Sequence, residues 1–189
     1  MRHLVGTTAA ALLVVLLAPG IANATTRPVA GTAKGKAVLV IVPTVATCVT
    51  PPVQPSDAFC KWNLRGTYTS GGPYLGSGHY SGRLTLNSTR YTANADYGEN
   101  CFYNFTGVVK FTNGTGTLRT VVDRSSSNVC DASGTQRDVH LTLTMPPGGN
   151  VGDYTNVSGG TFGWEGTWNM TSSTEYSDSA TFGGVVQTT

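Results

Sequence analysis

The feature that most limits what this chain can become is a period of two. Between Asp138 and Met145, the apolar residues Val139, Leu141, Leu143 and Met145 alternate with His140, Thr142 and Thr144. Side chains along an extended strand point to opposite faces in turn, so such a segment buries one face and wets the other. The rhythm recurs in Tyr80, Gly82, Leu84 and Leu86, in Leu118, Thr120 and Val122, and in Phe162, Trp164, Gly166, Trp168 and Met170. It recurs again in Tyr176, Ala180 and Phe182, and most regularly in 101–111, read as one strand with Cys101, Tyr103, Phe105, Gly107, Val109 and Phe111 on one face. Asn113-Gly114 predicts a hairpin that returns through 117–123. Asn87-Ser88-Thr89 predicts a turn that sets 90–95 beside 79–86. Lys36–Val42, stopped by Pro43, and the segment opening at Gly66 read as further strands. Nothing beyond residue 24 repeats at a helical period. Eight or nine short strands parted by Gly, Pro and Asn predict an all-β chain, a single antiparallel β-barrel of about eight strands, with a β-sandwich as the alternative. Glycines inside Thr112–Leu118 and Gly159–Trp168 favour the barrel, because closing a sheet requires sharp bends.

The first residues bear on destination. Arg2 and His3 precede an apolar run from Leu4 to Leu17, Pro19-Gly20 breaks it, and Ala22-Asn23-Ala24 offers small residues at cleavage spacing. The run is shorter than the roughly 20 residues a bilayer crossing needs, so residues 1–24 read as a signal peptide and the chain as secreted. Residues 25–35, small and without an apolar pattern, read as a flexible leader, and 36–189 as one barrel domain.

Charged residues make up only 12% of the chain, about half the usual ~25%, so Thr, Ser, Asn and Gly must cover the surface. After the signal peptide 11 basic and 10 acidic residues remain. That balance supplies no net field to draw nucleic acid or an anionic membrane. Four cysteines, Cys48, Cys60, Cys101 and Cys130, in an exported chain read as two disulfides. The most economical pairing is Cys48–Cys60 with Cys101–Cys130. There is no CxxC, and the histidines lie far from the cysteines in sequence, so no metal or cofactor is expected.

Residues for catalysis are few. No serine sits in a nucleophile elbow and no phosphate loop appears. Glu165, between Trp164 and Gly166, is the one candidate acid or base, although its parity places it opposite the two tryptophans, on the outer face. His79 and His140 read as surface residues. Tyr103, Phe105, Trp164 and Trp168 fall on faces predicted to be internal, where they either pack a core or line a cavity for an apolar ligand. A third arrangement sets Trp62, Tyr74, Tyr80 and Tyr91 outside as a platform for sugar rings.

The succession of an NGTGTL hairpin, a VHLTLTM strand and a GGTFGWEGTW segment resembles the secreted allene oxide cyclase barrel-like group, related to dirigent proteins, over about Gly76–Gly184. That resemblance implies an eight-stranded antiparallel barrel with an apolar interior that holds small hydrophobic molecules, in some members steering cyclisation or radical coupling without a cofactor. It carries over no catalytic residue. The leading expectation is therefore a secreted, non-enzymatic module binding a small hydrophobic ligand inside a barrel. A cofactor-free barrel enzyme and a carbohydrate- or protein-binding sandwich are the alternatives.

Overall fold

The computed structural model describes residues 24–41, 59–87, 91–94, 99–133 and 135–189. The described residues form twelve strands and no helix. They are β1 (Thr25–Ile41), β2 (Phe59–Ser70), β3 (Ser77–Asn87), β4 (Tyr91–Asn94), β5 (Glu99–Tyr103), β6 (Phe105–Thr112), β7 (Gly116–Val122), β8 (Asn128–Ser133), β9 (Gln136–Thr144), β10 (Val151–Gly152), β11 (Val157–Met170) and β12 (Glu175–Thr188). All ladders are antiparallel. The order β7-β6-β3-β2-β1-β12-β11-β9 closes on itself through Val121↔Thr144 and Val122↔Leu143, giving the eight-stranded barrel that the alternation predicts. The sandwich alternative is thereby set aside.

Three strands continue the wall past this seam. β8 lies beside the Gln136–His140 part of β9, while β7 holds its Leu143–Thr144 end. β5 pairs with β8, and β4 with β5. Cys101 and Cys130 are direct partners in the β5–β8 ladder, and their sulfurs are bonded as predicted. Of the other expected pair, Cys60 is fully buried on β2, while Cys48 lies outside the described residues. The same holds for residues 1–23 of the expected signal peptide.

Three expectations are corrected. The segment 25–35 is not a leader. It is the first part of β1, paired with β12 from Thr25↔Thr188 onward. Its inward positions are small, with Val29 and Ala33 buried and alternating with Gly31 and Gly35, because large rings from other strands lie over the glycines. An apolar-pattern reading passes over a strand whose inner face is made of Ala and Gly. Second, β3 pairs with β6 and not with the segment after its turn; β4 pairs with β5. Third, 101–111 is two strands. Asn104 takes a left-handed backbone, φ 66°, a conformation Asn tolerates better than most residues. The break resets the alternation, so that Phe102, not Tyr103, joins Phe105, Val109 and Phe111 in the core.

One aromatic-rich core fills the barrel. Phe111 packs against Tyr68, Phe162 and Phe182 at ring-centroid distances of 5.3, 5.3 and 5.6 Å, and Trp164 stacks on Phe182 at 6.1 Å. At one end Trp62 meets Phe105 and Trp168 at 6.0 and 5.9 Å. Spacings of this size are those of rings in contact.

Candidate functional site

Inside the barrel, one buried polar contact joins β3 to β12. Asp178 is buried on β12, and its row runs through Gly35 on β1 and Gly66 on β2 to Tyr80 on β3. The Tyr80 ring lies flat along this wall, and its hydroxyl reaches Asp178 Oδ2 at 2.5 Å. Only glycine leaves room beneath it. A Cβ on Gly66 would stand 2.5 Å from the ring, and one on Gly35 would stand 2.5 Å from the hydroxyl oxygen. Burial raises the Asp178 carboxyl to about 6, against the opposing pull of hydrogen bonds from Tyr80 and Trp168. The Tyr80 hydroxyl is pushed far above its ordinary range, by burial first and by the neighbouring carboxylate second.

Near the Trp62 end, Arg137 is buried and pairs with Asp131 at 2.7 Å. Its guanidinium lies 5.8 Å from the centre of the Phe102 ring. Trp62, Phe102, Phe105, Val129, Arg137, Trp168 and Tyr176 enclose a void of about 10 Å³, room for about one water. The buried Nε1–H of Trp62 finds no acceptor among the described residues.

Of the four residues expected to bind a ligand, Phe105 and Trp168 line this void. Trp164 is locked in the aromatic stack farther along the lumen, and Tyr103 is half-buried on β5. The external aromatic platform does not form. Trp62 and Tyr80 are buried, Tyr74 is half-buried against Tyr154, and the side chain of Tyr91 lies outside the described residues.

The outer wall is built differently. Glu165 faces outward, as its parity requires, and its carboxylate binds Nδ1 of half-buried His140 on the neighbouring strand. Register extends this pair into two parallel rows across β1, β12, β11 and β9. One row is Thr32–Thr181–Glu165–His140 and the other is Lys34–Ser179–Thr167–Asp138. Short hydroxyl side chains in the middle and longer charged ones at the sides leave an open trough of about 560 Å³ whose floor is backbone at Ala33, Ala180 and Gly166. It offers hydroxyls, two carboxylates, an imidazole and an ammonium, which together donate and accept hydrogen bonds in every direction. Sequence reasoning singled out Glu165 but missed His140, Asp138 and Lys34 as its companions. The signal was present in the outward parity of each strand, but only the inter-strand register places the four together.

Among the described residues, no three His, Cys, Asp or Glu side chains stand close enough to hold a metal ion. Compared with protein-family models, with curated proteins and with solved structures, the chain matches none.

Proposed function

We propose that this protein is a non-catalytic, extracellular binding module that recognises a saccharide on its outer wall, in the trough over β1, β12, β11 and β9. The observation that carries this reading is the contrast between the two faces of the barrel. The lumen leaves a void of about 10 Å³, whereas the outer wall opens a trough of about 560 Å³ lined by Asp138, His140, Glu165, Lys34 and four hydroxyl side chains. Sugar hydroxyls both donate and accept. Paired carboxylates and hydroxyls held rigid on a sheet match them without paying the entropy of ordering a loop. The extracellular part rests on the apolar N-terminal run with its Ala22-Asn23-Ala24 site, and on the paired cysteines, which persist in oxidising compartments.

The test is a titration of neutral oligosaccharides followed by amide chemical shifts. Shifts confined to Thr167, Ser179 and Thr181, and lost in a Glu165→Gln, Asp138→Asn double variant, are the expected result. Shifts elsewhere, or none at millimolar sugar, overturn it.

A second reading, the apolar ligand within the barrel, is favoured by one observation, the unpartnered indole N–H of Trp62 at the edge of the void. A ligand there would displace side chains to enter. Native mass spectrometry of protein purified from a secreting host separates the readings, because a retained small molecule released on denaturation belongs only to the second.

A further inference from the structure

The near-zero net charge conceals a separation of charge around the barrel. Five consecutive wall strands, β1, β2, β3, β6 and β7, contain no Asp or Glu. They hold eight of the 11 basic residues that follow the expected signal peptide. The acidic residues of the barrel wall stand on the other side, on β9, β11 and β12.

Register concentrates the basic side chains further. Lys36, Arg65, Ser81, Lys110 and Arg119 are successive partners across the five strands, forming one outward row of four cations and a serine. The row crosses four strand spacings, roughly 19 Å. Arg83 stands in the next row, beside Asn63. Lys36 pairs with Glu175 of β12 at 2.7 Å, at the border of the wall. Arg65, Arg83, Lys110 and Arg119 make no ion pair among the described residues. Two shallow grooves follow the same wall. One, of about 320 Å³, lies among Asn63, Ser81, Arg83 and Lys110. The other, of about 520 Å³, lies over Gly35 and Gly66 between Lys36, Arg65, Thr67 and His79.

Glu175 offsets Lys36 at one end of this row, but Arg65, Lys110 and Arg119 stand in line without an ion pair among the described residues, and cations so aligned raise the local concentration of an extended polyanion more than they would if scattered. The neighbours of that line identify the polymer. Thr67, His79, Thr112 and Thr117 form the adjoining row, so hydroxyl and imidazole groups border the cations. This suits a chain whose every unit carries both an anionic group and free hydroxyls. Among the described side chains of this wall, no aromatic is exposed to stack bases, as single-stranded nucleic acid binding requires. Nor do the described side chains of the wall form the band of large apolar groups with which surface-bound helices enter a bilayer,.

We propose that the wall of β1, β2, β3, β6 and β7 is a binding surface for an anionic polysaccharide, bearing uronate or sulfate groups, that lies along the Lys36–Arg119 row. This site adjoins the trough at β1, which carries Lys34 of the trough and Lys36 of the row, and extends from there in the opposite direction around the barrel, away from His140 and Glu165.

The experiment uses the secreted full-length barrel and immobilised heparin, with neutral dextran as the control. Retention on heparin and not on dextran, weakening steeply between about 50 and 200 mM salt, is expected. The triple variant Arg65→Ser, Arg83→Ser, Lys110→Ser is expected to lose about tenfold or more in affinity, while Arg124→Ser, off the wall, is unchanged. An unaltered thermal melt shows that the variant is folded. Neutral-sugar binding in the trough, measured on the same triple variant, remains intact, so the two sites are tested separately. Four results overturn the proposal: no retention on heparin, retention insensitive to salt, equal retention of the triple variant, or tighter binding to duplex DNA or anionic phospholipid vesicles than to heparin.

Discussion

The Tyr80 hydroxyl donates a 2.5 Å hydrogen bond to Asp178 and so joins β3 to β12 across the two strands that lie between them. A bond of this kind reports on the whole wall, since it forms only when three ladders, β3–β2, β2–β1 and β1–β12, are all in register. It also holds a carboxyl group where its charged form is costly.

That cost gives stability a pH dependence of definite sign. Asp178 is raised from 3.8 to about 6 by burial, so the folded state holds a proton that the unfolded state releases. Its contribution is present in full below pH ~4 and is lost as pH rises through about 6, by of order 3 kcal/mol. Urea unfolding is therefore expected to show higher stability from Asp178 at pH 4.5 than at pH 8, within the window set by this one group. Asp178→Asn should flatten the difference while keeping an acceptor for Tyr80. Tyr80→Phe should cost about 1–3 kcal/mol above pH 6 and less below it. A pH profile in Asp178→Asn as steep as in the parent would refute the assignment.

Gly66→Ala should be severely destabilising, although it adds a single methyl group to a strand, where alanine is ordinarily the better residue. The new Cβ would meet the Tyr80 ring at 2.5 Å and the Lys34 carbonyl oxygen at 2.2 Å. Overpacking of that degree costs about 3 kcal/mol or more. Gly183→Ala is the control, because its Cβ would face outward with its nearest neighbour at 3.9 Å. Paired thermal melts should show a large fall for the first and little change for the second.

Removing the Cys101–Cys130 bridge as the double serine variant should cost about 3–4 kcal/mol, on the chain-entropy account for a separation of 29 residues,. The bridge ties β5 to β8, and these strands supply Phe102 and Val129 to the walls of the void. Hydrogen exchange should accordingly rise in β4, β5 and β8 and remain slow in β1, β11 and β12. Uniform acceleration across all twelve strands would show that the extension is not a separable unit.

Arg137→Met should cost about 3 kcal/mol, because it leaves Asp131 beside an apolar wall without its partner,. Arg137→Met with Asp131→Leu should recover much of that loss. If the double variant is no more stable than the single, the pair does not act as a unit.

The strands with large inward residues were legible from the sequence. Leu118, Thr120 and Val122, or Phe162, Trp164 and Trp168, declare their buried face by parity alone, and the structure buries each of them. β1 was legible only from Lys36 onward, because its earlier inner face consists of Val29, Gly31, Ala33 and Gly35, whose sizes are set by Phe182 and Tyr80 arriving from distant strands. β8 was missed because Asn128–Ser133 is short and mixed. By parity Asn104 falls on the polar face of one long strand, and its left-handed backbone has no counterpart in the apolar pattern. The site was legible only by halves. Parity alone turned Glu165 outward, but the partnership with His140 and the acid-free wall both depend on which strands stand side by side. Residue counts hid the second altogether, because opposite charges cancel in a sum while remaining apart in space.

The longest ladder in the barrel joins its first strand to its last. Thr188 reaches the Thr25 carbonyl across 163 positions of chain. β1 can settle one edge early, against β2, but its other edge has no native partner until β12 exists. That edge stays open while the strands between are made, and folding is governed by the slow meeting of distant segments. The consequence is one of timing. A barrel whose first strand waits for β12 stays an open sheet until β12 has been made.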